Sequence, residues 1–454
     1  MVTASMRTVR LHDTRTGELT ELRPRDGRKV GIYACGPTVY GRIHVGNARP
    51  YVVFSLLKRF LVHEGYETTL VANITDINDK IYDAARPAGR PSAELADEMT
   101  AHYVADTDRL AIGRPDHEPQ ATLMVPEIVE LIADLIERDH AYVAEGDVYF
   151  RVRSLPEYGA LSHRDVDQMD QGEGLEGASR KEDPLDFALW KARKPMEDTW
   201  WDAPWGAGRP GWHIECSAMA EATLGAPFEI HGGGNDLIFP HHENEAAQTL
   251  AARGHELADI WMHNGMVELG GKMSKSVGNI RSLAEVLDDV GRDALLMFFA
   301  EGHYRQPLTF TSEKLADAAR RVEGIRNAGR RLAPGDSPPG LAPHRDAFFD
   351  ALADDYNTPR ALAALAEWIR EANAAAAPVG DSHLREMLEM LGLENVLERE
   401  PDAPPEVVAL AEQRGAARAA RDFAEADRLR AELRARGWEV RDGPDGAELV
   451  PAGP

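Results

Sequence analysis

Lys29-Val-Gly-Ile-Tyr-Ala-Cys35 runs into Gly36-Pro37 and Thr38-Val-Tyr-Gly-Arg-Ile-His-Val-Gly-Asn-Ala-Arg49, then Tyr51-Val-Val-Phe-Ser-Leu-Leu-Lys-Arg-Phe-Leu61 and Thr68-Thr-Leu-Val-Ala-Asn-Ile74. The first piece is short and β-prone, and Gly36-Pro37 forces a turn after it. The piece from Tyr51 has helical length and stops near Gly65, and the last piece is β-prone again. Strand, helix and strand in this order make a βαβ unit, which implies a parallel sheet with its ligand site at the strand ends. Cys35, His44 and Asn47 fall where the first strand hands over to the helix N-terminus. Free N–H groups and a positive dipole end make such a terminus a place for phosphate.

A second stretch carries different chemistry. Gly211-Trp-His-Ile-Glu-Cys-Ser-Ala-Met219, followed by Ile230-His-Gly-Gly-Gly-Asn-Asp-Leu-Ile-Phe-Pro-His-His-Glu-Asn-Glu245, holds Cys216, one of two cysteines in 454 residues. His241 and Glu245 lie four apart, so on a helix both project from one face. With Cys216 and the distant Cys35 they form a Cys/Cys/His/Glu set suited to zinc, whose borderline softness accepts sulfur, nitrogen and oxygen together. The alternative is that both cysteines pack as small hydrophobes. The Cys-x-x-Cys pairs of structural zinc sites are missing, so spacing leaves both readings open. Phe228-Glu-Ile230 is β-prone and leads through His231 into Gly232–Asp236, a backbone bare enough for a ligand to approach closely.

Composition excludes several classes. Charged residues make up 28% of the chain, mean hydropathy is −0.40, and no stretch reaches the about 18 apolar residues of a membrane span. Met1–His12 has no apolar core, unlike a secretory signal, so a cytoplasmic protein with unpaired cysteines is expected. A net charge of −25 opposes a general nucleic-acid binder; a nucleic acid must meet local basic patches on an acidic body.

Residues 84–141 read as helical, with Ile128-Val-Glu-Leu-Ile-Ala-Asp-Leu-Ile-Glu-Arg138 the clearest amphipathic piece, and Val148-Tyr-Phe-Arg-Val152 alternates like a strand. Residues 155–195 read as a polar surface insertion in which order returns at Phe187-Ala-Leu-Trp-Lys191. Helices are expected over 282–299 and, capped by Thr311, to about Arg331. A linker at 333–343, an Ala/Leu-rich helical region at 346–397 and a break at Pro401–Pro405 follow. Arg414, Arg418, Arg421, Arg428, Arg430, Arg434, Arg436 and Arg441 then crowd a short span. Together they suit a grip on single-stranded RNA, while for any one of them a solvated helix with Glu425, Asp427 and Glu432 as partners is the stronger reading.

Lys272-Met-Ser-Lys-Ser276 sets two ammonium groups three residues apart behind glycines, a pattern suited to a triphosphate, though alone it is no more than a basic turn. Together, His44-Val-Gly-Asn47 and Lys272–Ser276 resemble the two signatures of the class I aminoacyl-tRNA synthetases. Tyr33-Ala-Cys-Gly-Pro-Thr-Val-Tyr40, Asn73-Ile-Thr-Asp-Ile-Asn-Asp-Lys80, Gly211–Met219, His231–Glu245, Asp354-Asp-Tyr-Asn-Thr-Pro359 and Ala424-Glu-Ala-Asp-Arg-Leu-Arg430 resemble the cysteine branch of that family.

The resemblance implies an α/β fold: a Rossmann-like parallel-sheet catalytic domain with an inserted connective segment, followed by a helical C-terminal region. Its expected divisions are a catalytic domain at 1–300 with the insertion at about 110–200, a helical stem-contact segment at 301–333, a helical bundle at 334–400 and a small anticodon-binding module at 401–454. It implies ATP-dependent activation of L-cysteine to cysteinyl-adenylate and transfer to the 3′ end of tRNA(Cys), by a monomer with no membrane partner. One Zn2+ on Cys35, Cys216, His241 and Glu245 would take the substrate thiol. Thr75, Trp212 and His213 match the amino-acid pocket, although ordinary packing explains Trp212 equally well. His44 and Asn47 match the ATP signature, Gly232 to Asp236 the wall beside adenosine, and Lys272 and Lys275 the lysines of the pyrophosphate step, with Mg2+ accompanying ATP.

Two departures stand out. Asn47 occupies the place of a second histidine; its amide can donate a hydrogen bond but cannot carry a proton. Four zinc ligands also exceed the usual three plus water, so substrate must add as a fifth ligand or displace one. The rival readings are a cysteine ligase acting on an amino-sugar inositol, which lacks a full tRNA-binding tail, and an inactive RNA-binding paralog.

Overall fold

In the computed structural model, which describes residues 7–169, 179–269, 281–398, 403–443 and 446–451, a hairpin of β1 (Arg10–Asp13) and β2 (Glu18–Glu21) precedes the βαβ unit. That unit is β3 (Lys29–Ala34), α1 (Val45–His63) and β4 (Glu67–Ala72). The helix begins at Val45 rather than at the apolar run from Tyr51 because its polar start is capped reciprocally. His44 Nδ1 accepts from Gly46 N at 3.1 Å, and Asn47 Oδ1 accepts from His44 N at 3.2 Å.

α2 (Asp79–Ala85), α3 (Ser92–Asp108) and α4 (Val125–Glu137) break the helical reading of 84–141 into pieces. The chain between α3 and α4 instead covers the edge of the sheet. Ala72 N donates to His117 O at 3.0 Å and Ile74 N to Pro119 O at 2.8 Å, satisfying backbone groups that β4 would otherwise leave bare.

β5 (Ala141–Ala144), β6 (Asp147–Phe150), β7 (Phe187–Ala192) and β8 (Gly208–Pro210) form an antiparallel sheet in chain order. Phe150, Phe187 and Trp190 join Ile128, Leu131 and Ile214 in a core of their own, so the stretch read as polar insertion contributes buried wall at its end. Next come α5 (Trp212–Leu224), β9 (Phe228–Gly234), α6 (Glu243–Arg253) and β10 (Ala258–Asn264). The central sheet has the order β10-β9-β3-β4 with every pairing parallel. Since β4 lies on one side of β3 and β9 on the other, the winding reverses between β3 and β9, where α/β sheets open a crevice for ligand.

Gly232–Gly234 continue β9 and pair with Met262–Asn264. A Cβ on Gly232 would lie 2.3 Å from both the Phe54 ring and Met262 O, so protein packing already demands glycine there.

β11 (Val267–Leu269), α7 (Leu283–Ala300), β12 (Leu308–Phe310), α8 (Ser312–Gly329), α9 (Ala342–Ala353), α10 (Thr358–Ala374) and α11 (Ser382–Met390) complete the body. Leu57 and Phe60 of α1 share one core with Phe348, Phe349, Trp368 and Leu388 of the helical region. The Asp354–Pro359 stretch is the joint between them. Asp355, held at φ 64°, accepts from His12 N at 2.9 Å, Tyr304 Oη at 2.7 Å and Arg305 Nε at 2.8 Å, while Asn357 caps α10.

The end of the chain is α12 (Pro405–Ala419), α13 (Phe423–Ala435) and a hairpin of β13 (Trp438–Gly443) and β14 (Gly446–Pro451), which the run of arginines hid in the sequence. Arg428 pairs with Glu425 and Glu432, and Arg436 with Glu432, as a solvated helix would have them. Among the described residues, no helix is long and apolar enough to cross a membrane.

Candidate active site

Cys35 stands directly after β3, and its N–H donates to Gly232 O at 2.9 Å, locking it to β9 across the winding reversal. The turn behind it has no room for a side chain: a Cβ on Gly36 would sit 1.8 Å from Asn73 O. Cys216 lies in α5, His241 in the wide turn Ile238–His242, and Glu245 in the first turn of α6. One ligand atom from each of these four lies within 4.8 Å of every other. All four are buried, Glu245 completely. His241 Nε2 is 3.0 Å and Cys35 Sγ 3.4 Å from Glu245 Oε1.

A second set, Cys35, His231, His242 and Glu245, satisfies the same distances. Reading the sequence missed His231 and His242 as site residues, and the signal available was the His241-His242 doublet. Each residue of that motif has its own task. His241 Nδ1 meets His213 Nδ1 at 2.8 Å, so one ring is donor and the other acceptor. His242 Nδ1 meets His263 Nε2 at 2.7 Å, and His263 Nδ1 meets Thr14 Oγ1 at 2.7 Å. Glu243 accepts from the backbone of Gly159 at 2.8 Å and Ser162 at 2.7 Å, and Asn244 accepts from Tyr158 Oη at 2.6 Å.

Burial sets the charge of this cluster. It pushes the Cys35 thiol well up, helped by Cys216 and the Glu245 charge. For Cys216 the hydrogen bond with Cys35 pulls down, but burial and Glu245 raise it overall. Burial also drives His241 and His263 down to about 3 and His242 well below its ordinary value, so these imidazoles are neutral. Burial alone would raise Glu245, yet the His231 and His241 rings hold its carboxyl below the usual range. Neutral imidazoles, a carboxylate and two thiols that would release their protons on binding a metal are what a zinc site requires. His242 Nε2 is buried without a hydrogen bond, which native interiors rarely tolerate unless something else takes that position, and Glu245 Oε2 has only the His231 ring near it, Nε2 at 3.2 Å. The donor set therefore fits a zinc ion.

The remaining candidates surround this cluster. Trp212 is half-buried and stacks on His241, ring centroids 4.2 Å apart. Thr75 is buried at the end of β4, accepting from Asn73 Nδ2 at 3.2 Å and bridging to Thr38. Asp236 is exposed just past the end of β9. His44 and Asn47 mark the N-terminus of α1, where Leu283 N donates to Ile43 O at 2.9 Å and His44 bridges to Ser282. Lys272 and Lys275 lie outside the described residues. Arg49, which the sequence left unassigned, is buried and donates to Gly265 O at 2.5 Å, Met266 O at 3.3 Å and His303 O at 3.1 Å.

Known proteins share this arrangement. The profile of the "tRNA synthetases class I (C) catalytic domain" matches residues 21–320, that of the DALR domain residues 347–397, and that of the "Cysteinyl-tRNA ligase anticodon binding domain" residues 400–448. The cysteine–tRNA ligase of Halorhodospira halophila is 44% identical over 459 residues, covering 97% of this chain and 99% of that protein. That of Parvibaculum lavamentivorans is 45% identical over 451 residues, covering 96% of each. A solved methionyl-tRNA synthetase of Mycobacterium tuberculosis in complex with methionyl-adenylate covers 82% of this chain and 89% of its own, with a TM-score of 0.60 at 16% identity, a likeness of fold alone. Matched from end to end by its relatives, the chain belongs to the cysteine–tRNA ligase family of class I tRNA synthetases.

Proposed function

We propose that the protein, a cytoplasmic monomer, activates L-cysteine with ATP and transfers the cysteinyl group to the 3′ end of tRNA(Cys). The observation that carries this reading is the buried set of Cys35, Cys216, His241 and Glu245 at the winding reversal, in a chain of this family. Cysteine and serine differ by one atom, and shape alone separates such isosteres poorly. A zinc ion held by those four side chains would prefer the substrate's sulfur to a neutral hydroxyl. The two-thiol set is favoured over the one with His231 and His242 because zinc takes thiolates readily. Those two histidines then orient Glu245, as outer partners of metal ligands do.

His213 fixes the ring of His241, and Trp212 and Thr75 wall the amino-acid pocket. ATP lies against the N-terminus of α1 at His44 and Asn47, with Gly232 and Asp236 beside adenosine. The substrate carboxylate attacks the α-phosphate and pyrophosphate leaves, giving cysteinyl-adenylate; positioning and charge stabilisation by Lys272 and Lys275 carry the step, and the Mg2+ that accompanies ATP would add positive charge. The terminal ribose hydroxyl of the tRNA then takes the acyl group, and AMP leaves. Residues 301–333 contact the tRNA stem, 334–400 form a helical bundle domain, and 401–454 bind the anticodon.

Charging of tRNA(Cys) with labelled cysteine, run beside an amino-sugar inositol acceptor, tests the reading. Transfer to tRNA is expected, and transfer to the amino sugar alone would overturn it. Cys216→Ser is expected to lose bound zinc, measured by atomic absorption, and to raise KM for cysteine at least about 100-fold, with KM for ATP little changed. Equal loss of both substrates would make the metal structural.

A further inference from the structure

The proposed function gives no task to the Asp354–Pro359 stretch, yet its backbone is costly. Asp355 and Tyr356 both hold positive φ, 64° and 46°, a left-handed conformation that aspartate tolerates and a bulky tyrosine disfavours. Such a conformation persists only where the surroundings enforce it. At Asp355, which is 5% exposed, they do. Its N–H donates to Arg10 O at 2.9 Å, and its carboxylate takes His12 N, Tyr304 Oη and Arg305 Nε, with His303 Nε2 3.4 Å away. Neighbouring Asp354 is different, pairing only partly buried with the exposed Arg10 and Arg360.

The loop that Asp355 grips leads to the nucleotide side of the crevice. Residues 303–307 join α7 to β12. Tyr304 O accepts from Gly265 N at 2.8 Å, Met266 O accepts from Leu308 N at 2.9 Å, and a Cβ on Gly265 would run into the Gln306 carbonyl. The turn Gly265–Met266, between β10 and β11, is therefore pressed against this loop without slack. Arg49 closes it from α1, donating to Gly265 O, Met266 O and His303 O, and Arg49 stands only two residues past Asn47. Met266 itself is 44% exposed, its sulfur 3.7 Å from where a Cβ on Gly234 would sit, at the wall where the proposed function sets adenosine. One carboxylate in the helical region thus fixes a loop that fixes both Met266 and, through Arg49, the start of α1.

We propose that Asp355 is a positioning residue for the nucleotide: by holding His303–Arg305 it sets the place of Met266 and of the α1 N-terminus, and so the fit of ATP, without touching substrate. This rests on the proposed function, and it gives the motif, through Asp355, a part in the first step. The metal-ligand set is carried by the end of β3, the turn Ile238–His242, α5 and α6, so cysteine binding is expected to be spared.

The test is cysteine-dependent ATP–pyrophosphate exchange by the full-length zinc-loaded protein. Asp355→Asn keeps a side chain that tolerates the left-handed backbone. With its oxygen held by His12 N–H and the Tyr304 hydroxyl, however, it turns amide hydrogens toward Arg305. It is expected to raise KM for ATP about tenfold, through misplacement alone, while KM for cysteine and bound zinc stay within about twofold. Adding Arg305→Gln gives that amide an acceptor in place of a guanidinium, and is expected to return KM for ATP to within about threefold of the unaltered value. Asp354→Asn, which loses only surface pairs, is expected to leave both KM values unchanged. If Asp355→Asn lowers kcat per mole of protein with both KM values unchanged, the residue only keeps the chain folded and the proposal fails. It fails too if KM for cysteine rises as much as KM for ATP, or if Arg305→Gln restores nothing. Should Asp355→Asn yield no folded protein, Tyr304→Phe and Arg305→Ala decide, since each removes contacts of the same carboxylate and spares its backbone. A rise in KM for ATP alone supports the proposal, and an unchanged KM in both variants overturns it. An unaltered protein without cysteine-dependent exchange would sink the proposed function itself, before any variant is compared.

Discussion

Arg49 and Gly36 show how single positions hold the site without touching substrate. The guanidinium of Arg49 is buried with three carbonyls and no acid among its hydrogen-bond acceptors, and burial lowers its pKa to about 10. It ties the start of α1 to the loops after β10 and α7. Replacing it with methionine removes three charge-assisted hydrogen bonds, while Gly265 O keeps Asn264 Nδ2, Met266 O keeps Leu308 N and His303 O keeps Gln306 N as donors, so Arg49→Met is expected to cost about 2 kcal/mol in urea unfolding. At Gly36 the obstacle is steric, since any side chain meets the backbone of Asn73. Gly36→Ala is expected to displace Cys35 and leave soluble protein with little bound zinc, which metal analysis of the purified variant would show. Neither requirement is visible in the residues alone: Gly36 reads as a turn, and Arg49 as one more cation in a polar segment.

At the scale of elements, the start of α1 is a cap to which the proposed function adds a binding role. Asn47 closes the helix start and is exposed, and the proposed function sets ATP beside it. The two roles separate by substitution. Asn47→Asp keeps an acceptor for His44 N–H but sets a negative charge at the phosphate site, so stability is expected to hold within about 0.5 kcal/mol while KM for ATP rises about tenfold. An unchanged KM would leave Asn47 a cap and nothing more. The opposite case is Ser282, whose hydroxyl accepts from Glu285 N at 3.2 Å while Glu285 accepts from Ser282 N at 2.7 Å. Ser-x-x-Glu is the spacing of such a pair, though only the helix start was expected there, whereas the Thr311 cap of α8 was legible. The start of α1 was harder to place, because its cap uses His and Asn in a stretch of low apolar content.

Across the whole molecule, α1 is the axle joining the catalytic sheet to the helical region. At its far end His63 stacks on Phe349 of α9 at 4.3 Å, and its Nε2 lies 2.9 Å from Glu386 of α11. Glu386 and Glu64 raise the His63 pKa from 6.5 to about 9, with Arg7 beside Glu64 and Arg345 beside Glu386 completing the charged group. Because the folded pKa is the higher one, this contribution is fully present below the unfolded value and fades as pH rises through about 9. With the His63 side chain 23% exposed, the contribution is about 3 kcal/mol at most. His63→Gln is therefore expected to unfold at lower urea concentration than the unaltered protein at pH 6.5, with the gap closing above pH 9. A gap independent of pH would mean that stacking on Phe349, and not charge, holds the joint.

The sequence by itself determined the βαβ unit, the cap at Thr311 and the candidate ligands Cys35, Cys216, His241 and Glu245, because periodicity, turn chemistry and donor type are local properties. Only the tertiary structure decided that β9 lies beside β3, which brings residues 35 and 216 together although nothing in their spacing says so. It also placed His231 and His242 against Glu245, and set Gly232 in a strand pressed on Phe54. The physical reason is that a parallel sheet joins strands far apart in the chain, so what meets at their ends is set by winding order and packing, neither of which is written in any single stretch of residues.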